Sequence, residues 1–251
     1  MKVYYLNREK FTKGDSTTAL KFALGLAKKD KDINTITFLV YQAMQYDDFL
    51  GEIGFSKQHY STHSARMGNY KVQVHTVKTY KPDYQFAGHP QSELLIAVGV
   101  PPKELVRFED YSNINYWVIV PWLLEENKEW LSIFEATDLE TGGAIASPEL
   151  GDDRIGNAID WLKATSYPNE GYRHPLDEDR LHQMSNAIKH YKVPFSYASA
   201  VKCGLEHGLI PSAARKTADA FQRAQSRAFA INYSDYGKSF LKEMMETKHD
   251  D

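Results

Sequence analysis

Two apolar runs near the middle of the chain constrain its fold more than any other feature. Leu94-Leu95-Ile96-Ala97-Val98-Gly99-Val100 stops at Pro101-Pro102, and Ile114-Asn115-Tyr116-Trp117-Val118-Ile119-Val120 stops at Pro121. A strand with one face in water alternates apolar and polar residues, whereas a strand covered on both faces is apolar almost throughout. The first run has no polar member, and each run is followed by a helical pattern. Neighbouring parallel strands with helices on both sides are therefore expected.

The N-terminal segment agrees with this. Lys2 to Leu6 reads as a strand, and the polar loop Asn7 to Asp15 leads to a helix beginning near Ser16. Ala19, Leu20, Ala23, Leu24 and Ala27 recur at helical spacing, and Lys28 and Lys29 suit the negative end of the helix. Ile33 to Tyr41 is a second strand, so the chain opens as β-α-β, a crossover that favours parallel pairing. Gln42 to Gly54 reads as a short helix, Ser56 to Asn69 as a polar surface excursion, and Lys71 to Tyr80 as a strand nearer an edge.

Beyond Pro121 the pattern is helical from Leu123 to Ala136, with Leu124, Leu131 and Phe134 inward. Thr137 to Pro148, with Gly142-Gly143, has room for one last short strand or hairpin. Four or five helical stretches follow, with no strand pattern. The stripe Ala214, Ala218, Phe221 and Ala228, after Pro211, is small enough for close helix packing. A last amphipathic piece carries Phe240, Leu241, Met244 and Met245. The expected fold is α/β: a mostly parallel, Rossmann-like sheet of about five strands with flanking helices, followed by a C-terminal helical part. The division falls at residue 148, with an α/β ligand-binding domain over 1–148 and a helical domain or extension packed on it over 149–251.

Composition narrows the function classes. At 251 residues with 42% hydrophobic and 25% charged residues, the chain has enough apolar material for a sizeable core. A net charge of −3 argues against coating nucleic acid by bulk electrostatics, while leaving room for a local basic patch. One cysteine, Cys203, forms no internal disulfide, and no apolar run approaches membrane-spanning length. A cytoplasmic protein with no membrane partner is the expectation.

In an open parallel sheet, ligands bind beyond the carboxyl ends of the strands. The loop after the first strand carries Lys13-Gly14-Asp15-Ser16-Thr17-Thr18, so Lys13, Gly14, Ser16 and Thr17 stand where helix N–H groups favour a phosphate or carboxylate. The competing reading is an ordinary capped helix start, because the segment is neither a P-loop nor GxGxxG. Gly99 lets backbone approach a ligand, or simply ends a strand. Asp48 and Glu126, with Asp47 and Glu125 beside them, lie at the same edge as candidate acid, base or ribose ligands, or as helix-dipole partners.

His59 and His63 are four residues apart, and His75 and His89 follow, but the segment lacks the other ligands of a zinc site, and no metal is assigned. Cys203 falls in an apolar-striped helix and reads as packing. Arg215, Lys216, Arg223 and Arg227 share a broad helical face with Asp219, either as an ion-pair ladder or as an anion or nucleic-acid surface.

Two functional readings follow. The first is a protein that binds a nucleotide or other phosphorylated small molecule at the carboxyl edge of the sheet, with hydrolysis or group transfer as the simplest chemistry. There Lys13, Ser16 and Thr17 would hold the phosphate, and Asp48 or Glu126 would serve as base or ribose ligand. The second is a non-enzymatic regulatory or assembly protein whose C-terminal helices bind a protein partner, a second copy of the chain or, less favoured, nucleic acid. No cofactor is specified by any motif.

Overall fold

The computed structural model describes residues 1–82 and 92–230, with the side chains of Asp48, Lys57 and Tyr60 left out of that description. His89 and the amphipathic piece around Phe240 lie outside the described residues. The chain divides into two compact units, Met1–Ser147 and Pro148–Asp251.

The first unit runs β1 (Lys2–Tyr5), α1 (Asp15–Lys29), β2 (Ile33–Val40), α2 (Tyr46–Leu50), α3 (Lys57–Thr62), β3 (Ser64–Met67), β4 (Tyr70–Thr76), β5 (Ser92–Val98), α4 (Pro102–Leu105), β6 (Ile114–Val120), α5 (Leu124–Ile133) and β7 (Thr137–Asp138). The fold is α/β. Among the described residues, seven strands form one sheet in the order β3-β4-β2-β5-β6-β1-β7. All neighbours are parallel except β3 and β4.

The first apolar run forms the centre of that sheet. All seven residues of β5 are buried, and the strand is paired on one side with β2 and on the other with β6. Its side chains alternate between two cores. Leu94, Ile96 and Val98 join Ile36, Phe38 and Val40 of β2, Val118 and Val120 of β6, and Ala19, Leu20, Ala23 and Ala27 of α1. Leu95 and Ala97 face the other way, toward Trp117 and Ile119 of β6 and Leu124, Trp130 and Leu131 of α5. Each fully buried Leu or Ile contributes about 1.5–3 kcal/mol, so this double coverage is the main stabilising term of the unit.

Two strands stand beyond the expected five, and one of them, β7, falls where Thr137 to Pro148 has room for a last short strand. β3 lies within the segment read as a surface excursion, and its burial pattern has no buried member. β7 is two residues long and held on β1. The helix expected over Gln42 to Gly54 is instead a 3-10 turn, the five-residue α2 and a second 3-10 turn ending at Gly54, whose φ of 84° stops it.

The parallel register levels the carboxyl ends: Val40 pairs with both Thr76 and Val98, and Val98 with Val120. From β2 the chain proceeds outward to β4, and from β5 it proceeds the opposite way to β6. The residues of α2 pack in the core with α1, and Leu105 of α4 packs in the other. The connections therefore leave toward opposite faces between β2 and β5, which is a switch point of the kind that opens a crevice.

The second unit holds α6 (Arg154–Thr165), α7 (Pro175–His190), α8 (Tyr197–Glu206) and α9 (Pro211–Ser226). The small-residue stripe of α9 does allow close packing: a Cβ on Gly204 of α8 would lie 2.9 Å from the Cβ of Ala214. Its members differ from the predicted set at one end. Ala213, Thr217, Ala220 and Ala224 are also buried, whereas Ala228 is exposed because α9 stops at Ser226.

Gly99 tests the geometry of the switch. It follows β5 with φ 61°, and a Cβ there would lie 2.7 Å from Cε2 of Phe49. Gly99→Ala is expected to destabilise the protein by about 2–4 kcal/mol, combining left-handed backbone strain with overpacking. Phe49→Leu in that background should recover part of the loss. Gly25→Ala, in α1 with nothing near the added methyl group, should stabilise by about 0.5–1 kcal/mol. Urea denaturation of the three variants checks all three signs.

Candidate functional site

The loops at the carboxyl edge are tied together by backbone and by aromatic side chains. After β1 and β6 the chain forms an antiparallel bridge between Lys10 and Leu123. Phe11 N–H donates to the Trp122 carbonyl at 3.0 Å, and Leu124 N–H to the Glu9 carbonyl at 3.1 Å. The Phe11 ring lies 4.6 Å from that of Phe49, and Trp122 lies 6.1 Å from Phe11 at 17° and 5.7 Å from Phe49. Phe49 belongs to the connection after β2 and packs on Gly99 after β5. Loops from four strands thus meet in one aromatic cluster.

A crevice of about 200 Å³ opens beside that cluster. Tyr41 and Gln45 line it from the connection after β2, Gly99, Val100 and Pro101 from that after β5, and Trp122, Glu126 and Asn127 from the loop and helix after β6. Trp122 is 45% exposed, unusual for so large an apolar ring. Glu126 is exposed. Asn127 is 2% exposed; its Nδ2 donates to the Leu123 carbonyl at 3.3 Å, which fixes the amide orientation, and its Oδ1 has no hydrogen-bond partner among the described residues. A buried acceptor left unpaired costs about 1–3 kcal/mol.

The structure therefore brings Gly99 and Glu126 into one crevice. Residue 48 lies in α2, near the same edge, with its side chain outside the description. Lys13, Gly14, Ser16 and Thr17 do not line the crevice. At the start of α1, Gly14 takes φ 100°, and the carboxylate of Glu52 accepts from Gly14 N–H at 2.7 Å and from Thr17 N–H at 3.3 Å. Asp15 faces the preceding loop, accepting from the N–H and hydroxyl of Thr12 at 2.6 and 3.0 Å. Ser16 is fully buried with its Oγ unpaired, and Lys13 is exposed. The anion at this helix start is thus supplied by the protein, 38 residues away in sequence.

The residues that sequence reasoning missed are Trp122, Asn127, Gln45 and Glu52. Trp122 carried a usable signal, a bulky aromatic directly after the proline that stops a buried strand. Glu52 carried none, because its partner is distant in sequence.

The remaining candidates are accounted for separately. His59 accepts from Ser56 N–H at 3.0 Å as a helix cap. His63 donates from Nδ1 to the Val74 carbonyl at 2.8 Å and stacks on His75, with ring centroids 4.7 Å apart at 14°. Among the described residues no group of three His, Cys, Asp or Glu side chains is placed to hold a metal ion. Cys203 is buried, and burial pushes its thiol up to about 11, away from the thiolate. On α9, Lys216 donates to the Gly171 carbonyl at 2.8 Å and sits over the Tyr172 ring, and Arg223 sits over Phe229. Arg227 falls beyond the helix end. No described helix is long and apolar enough to cross a membrane.

Comparison of the chain with protein-family models, curated proteins and solved structures gives no match.

Two outcomes follow. Glu52→Ala should cost about 0.5–2 kcal/mol in urea denaturation by uncapping α1, with Glu52→Gln costing less because its amide oxygen still accepts. His75 is held neutral: its pKa is pushed down to about 4 by burial first, then by His63 and Lys71. The unfolded chain takes up this proton near pH 6.5 and the folded chain only near pH 4. Stability should therefore fall by about 1–2 kcal/mol between those values, after discounting for partial solvent access, and level off below. His75→Gln should flatten that part of the stability curve.

Proposed function

We propose that the α/β unit binds a nucleotide or other phosphorylated small molecule in the crevice at the carboxyl edge of the sheet, with Glu126 as the group that accepts hydrogen bonds from the ligand. The observation that carries this reading is convergence: the connections after β2, β5 and β6 supply the walls of one crevice at the switch point. The indole of Trp122, 45% exposed beyond its contacts with Phe11 and Phe49, and the acceptor of Asn127, unpaired among the described residues, add to it. A phosphate at the start of α1, near Lys13, requires Glu52 to leave Gly14 and Thr17. The crevice therefore makes the primary contact, and the start of α1 is at most a second one. If catalysis accompanies binding, Glu126 is its acid or base, and hydrolysis or group transfer is the simplest reaction.

The reading that assigns function to the basic face of α9 has less behind it, because Lys216 is engaged within its own unit and Arg227 leaves the helix. A thermal-shift and calorimetric panel of purine and pyrimidine nucleotides and sugar phosphates tests the crevice. At least one compound should bind, and Trp122→Ala should weaken it about tenfold or more, the size of a lost stacking contact. A flat response across the panel at millimolar concentration would sink the reading.

A further inference from the structure

The chemistry of the crevice wall says which end of such a ligand enters. Among the described residues that line it, none carries a positive charge, and Glu126 carries a negative one. A phosphate placed there would lose its hydration and face a carboxylate with no cation to offset either cost. Lys13, in the loop after β1, is not part of the wall. At about 200 Å³ the crevice is also smaller than the roughly 300–1,000 Å³ typical of drug-sized ligands, so it suits a single ring system.

What the wall does offer is a flat apolar surface and acceptors. Trp122 is held by Phe11 on one side and is still 45% exposed, so a second aromatic ring has a platform whose position is fixed. Asn127 adds an amide oxygen that lies closed to solvent behind the wall, with no donor among the described residues, so a ligand N–H meets it by a small turn of the side chain toward the crevice. Glu126 adds a carboxylate at the mouth. All three favour a planar heterocycle carrying N–H groups, and none favours an anion.

We infer that the crevice receives the uncharged, N–H-bearing aromatic ring of the ligand, stacked on Trp122 with an N–H directed to Asn127, while its phosphates remain outside. This rests on the reading above that the crevice binds a nucleotide-class molecule, and it adds the orientation and the recognition element. Phosphorylation is then nearly irrelevant to affinity, and the exocyclic amine is decisive.

Calorimetry with the full-length protein separates these claims. Adenosine, its 5′-monophosphate and its 5′-diphosphate should bind within about threefold of one another at fixed ionic strength, and inorganic phosphate should not compete. Purine riboside, which lacks the 6-amino group, should bind about tenfold more weakly or worse. Asn127→Leu should abolish that difference between adenosine and purine riboside while leaving the melting temperature within a few degrees. Glu126→Gln should raise the affinity of the diphosphate relative to adenosine. Tenfold tighter binding of the phosphorylated forms, with competition by inorganic phosphate, would overturn the inferred orientation and leave the binding reading standing. Equal binding of adenosine and purine riboside would overturn the role of Asn127. Absence of binding by every compound would overturn both the orientation and the reading beneath it.

Discussion

The α/β unit depends on the burial of β5 on both faces. A strand with seven buried residues and a hydrogen-bonded neighbour on each side has no surface left for water, so helices must cover it above and below. Coverage of both faces requires some crossovers to run one way and some the other, because right-handed connections place a helix on the face set by the direction of travel. The reversal falls between β2 and β5, and the crevice opens there. The site is in this sense a by-product of the core: the demand that hides Leu94 to Val98 from water also separates the loops above them. At the opposite end of β5 the same burial encloses Glu93, whose carboxylate accepts from Thr37 Oγ1, from Tyr80 OH at 2.7 Å and from Asn113 Nδ2 at 3.3 Å. These described donors converge on it, which is the condition for keeping a buried polar group without a large penalty.

Above the sheet, the loops are bonded to each other. The bridge between Lys10 and Leu123, the bonds on either side of it, and the rings of Phe11, Phe49 and Trp122 join segments that follow four different strands. Gly99 belongs to this cluster because only a residue without Cβ lets Phe49 come so close. Its conformational freedom serves packing under the crevice as well as the turn after β5, so the glycine at the end of the buried run has a structural cause that stands whether or not a ligand binds. A rim bonded in this way loses less entropy when a small molecule is held.

Much of the fold was legible in the sequence because its strongest signals are local. Continuous apolar runs ending in proline, and the helical spacing of Ala19, Ala23 and Ala27, are set by neighbours within a few residues. β3 was not legible because an exposed edge strand has no buried face to impose a period. The segment Gln42 to Gly54 misled because Met44, Phe49, Leu50 and Ile53 have helix-compatible spacing, although Met44 is 78% exposed and glycines at 51 and 54 break the run into short turns. The site was half legible. Gly99 and Glu126 could be placed at the edge from the topology of parallel sheets alone, but which loops touch depends on contacts between residues far apart in the chain, such as Phe11 with Trp122 and Glu52 with Gly14.

The capping of α1 by Glu52 changes what the lysine and hydroxyl cluster means. A helix N-terminus attracts an anion by roughly 0.3–1 kcal/mol at an exposed position, and more where backbone N–H groups are also satisfied. Here that attraction is already answered by a carboxylate bonded to two of those N–H groups. Any free anion has to match both bonds and also separate Glu52 from them, so the net gain is the small difference between two similar interactions. The crevice near Gly99 is different in kind: no described residue answers the Asn127 acceptor, and the Trp122 ring is 45% exposed. On the proposed reading, a ligand at this edge would be selected by stacking and donor placement, and its charge would matter mainly through the carboxylate of Glu126.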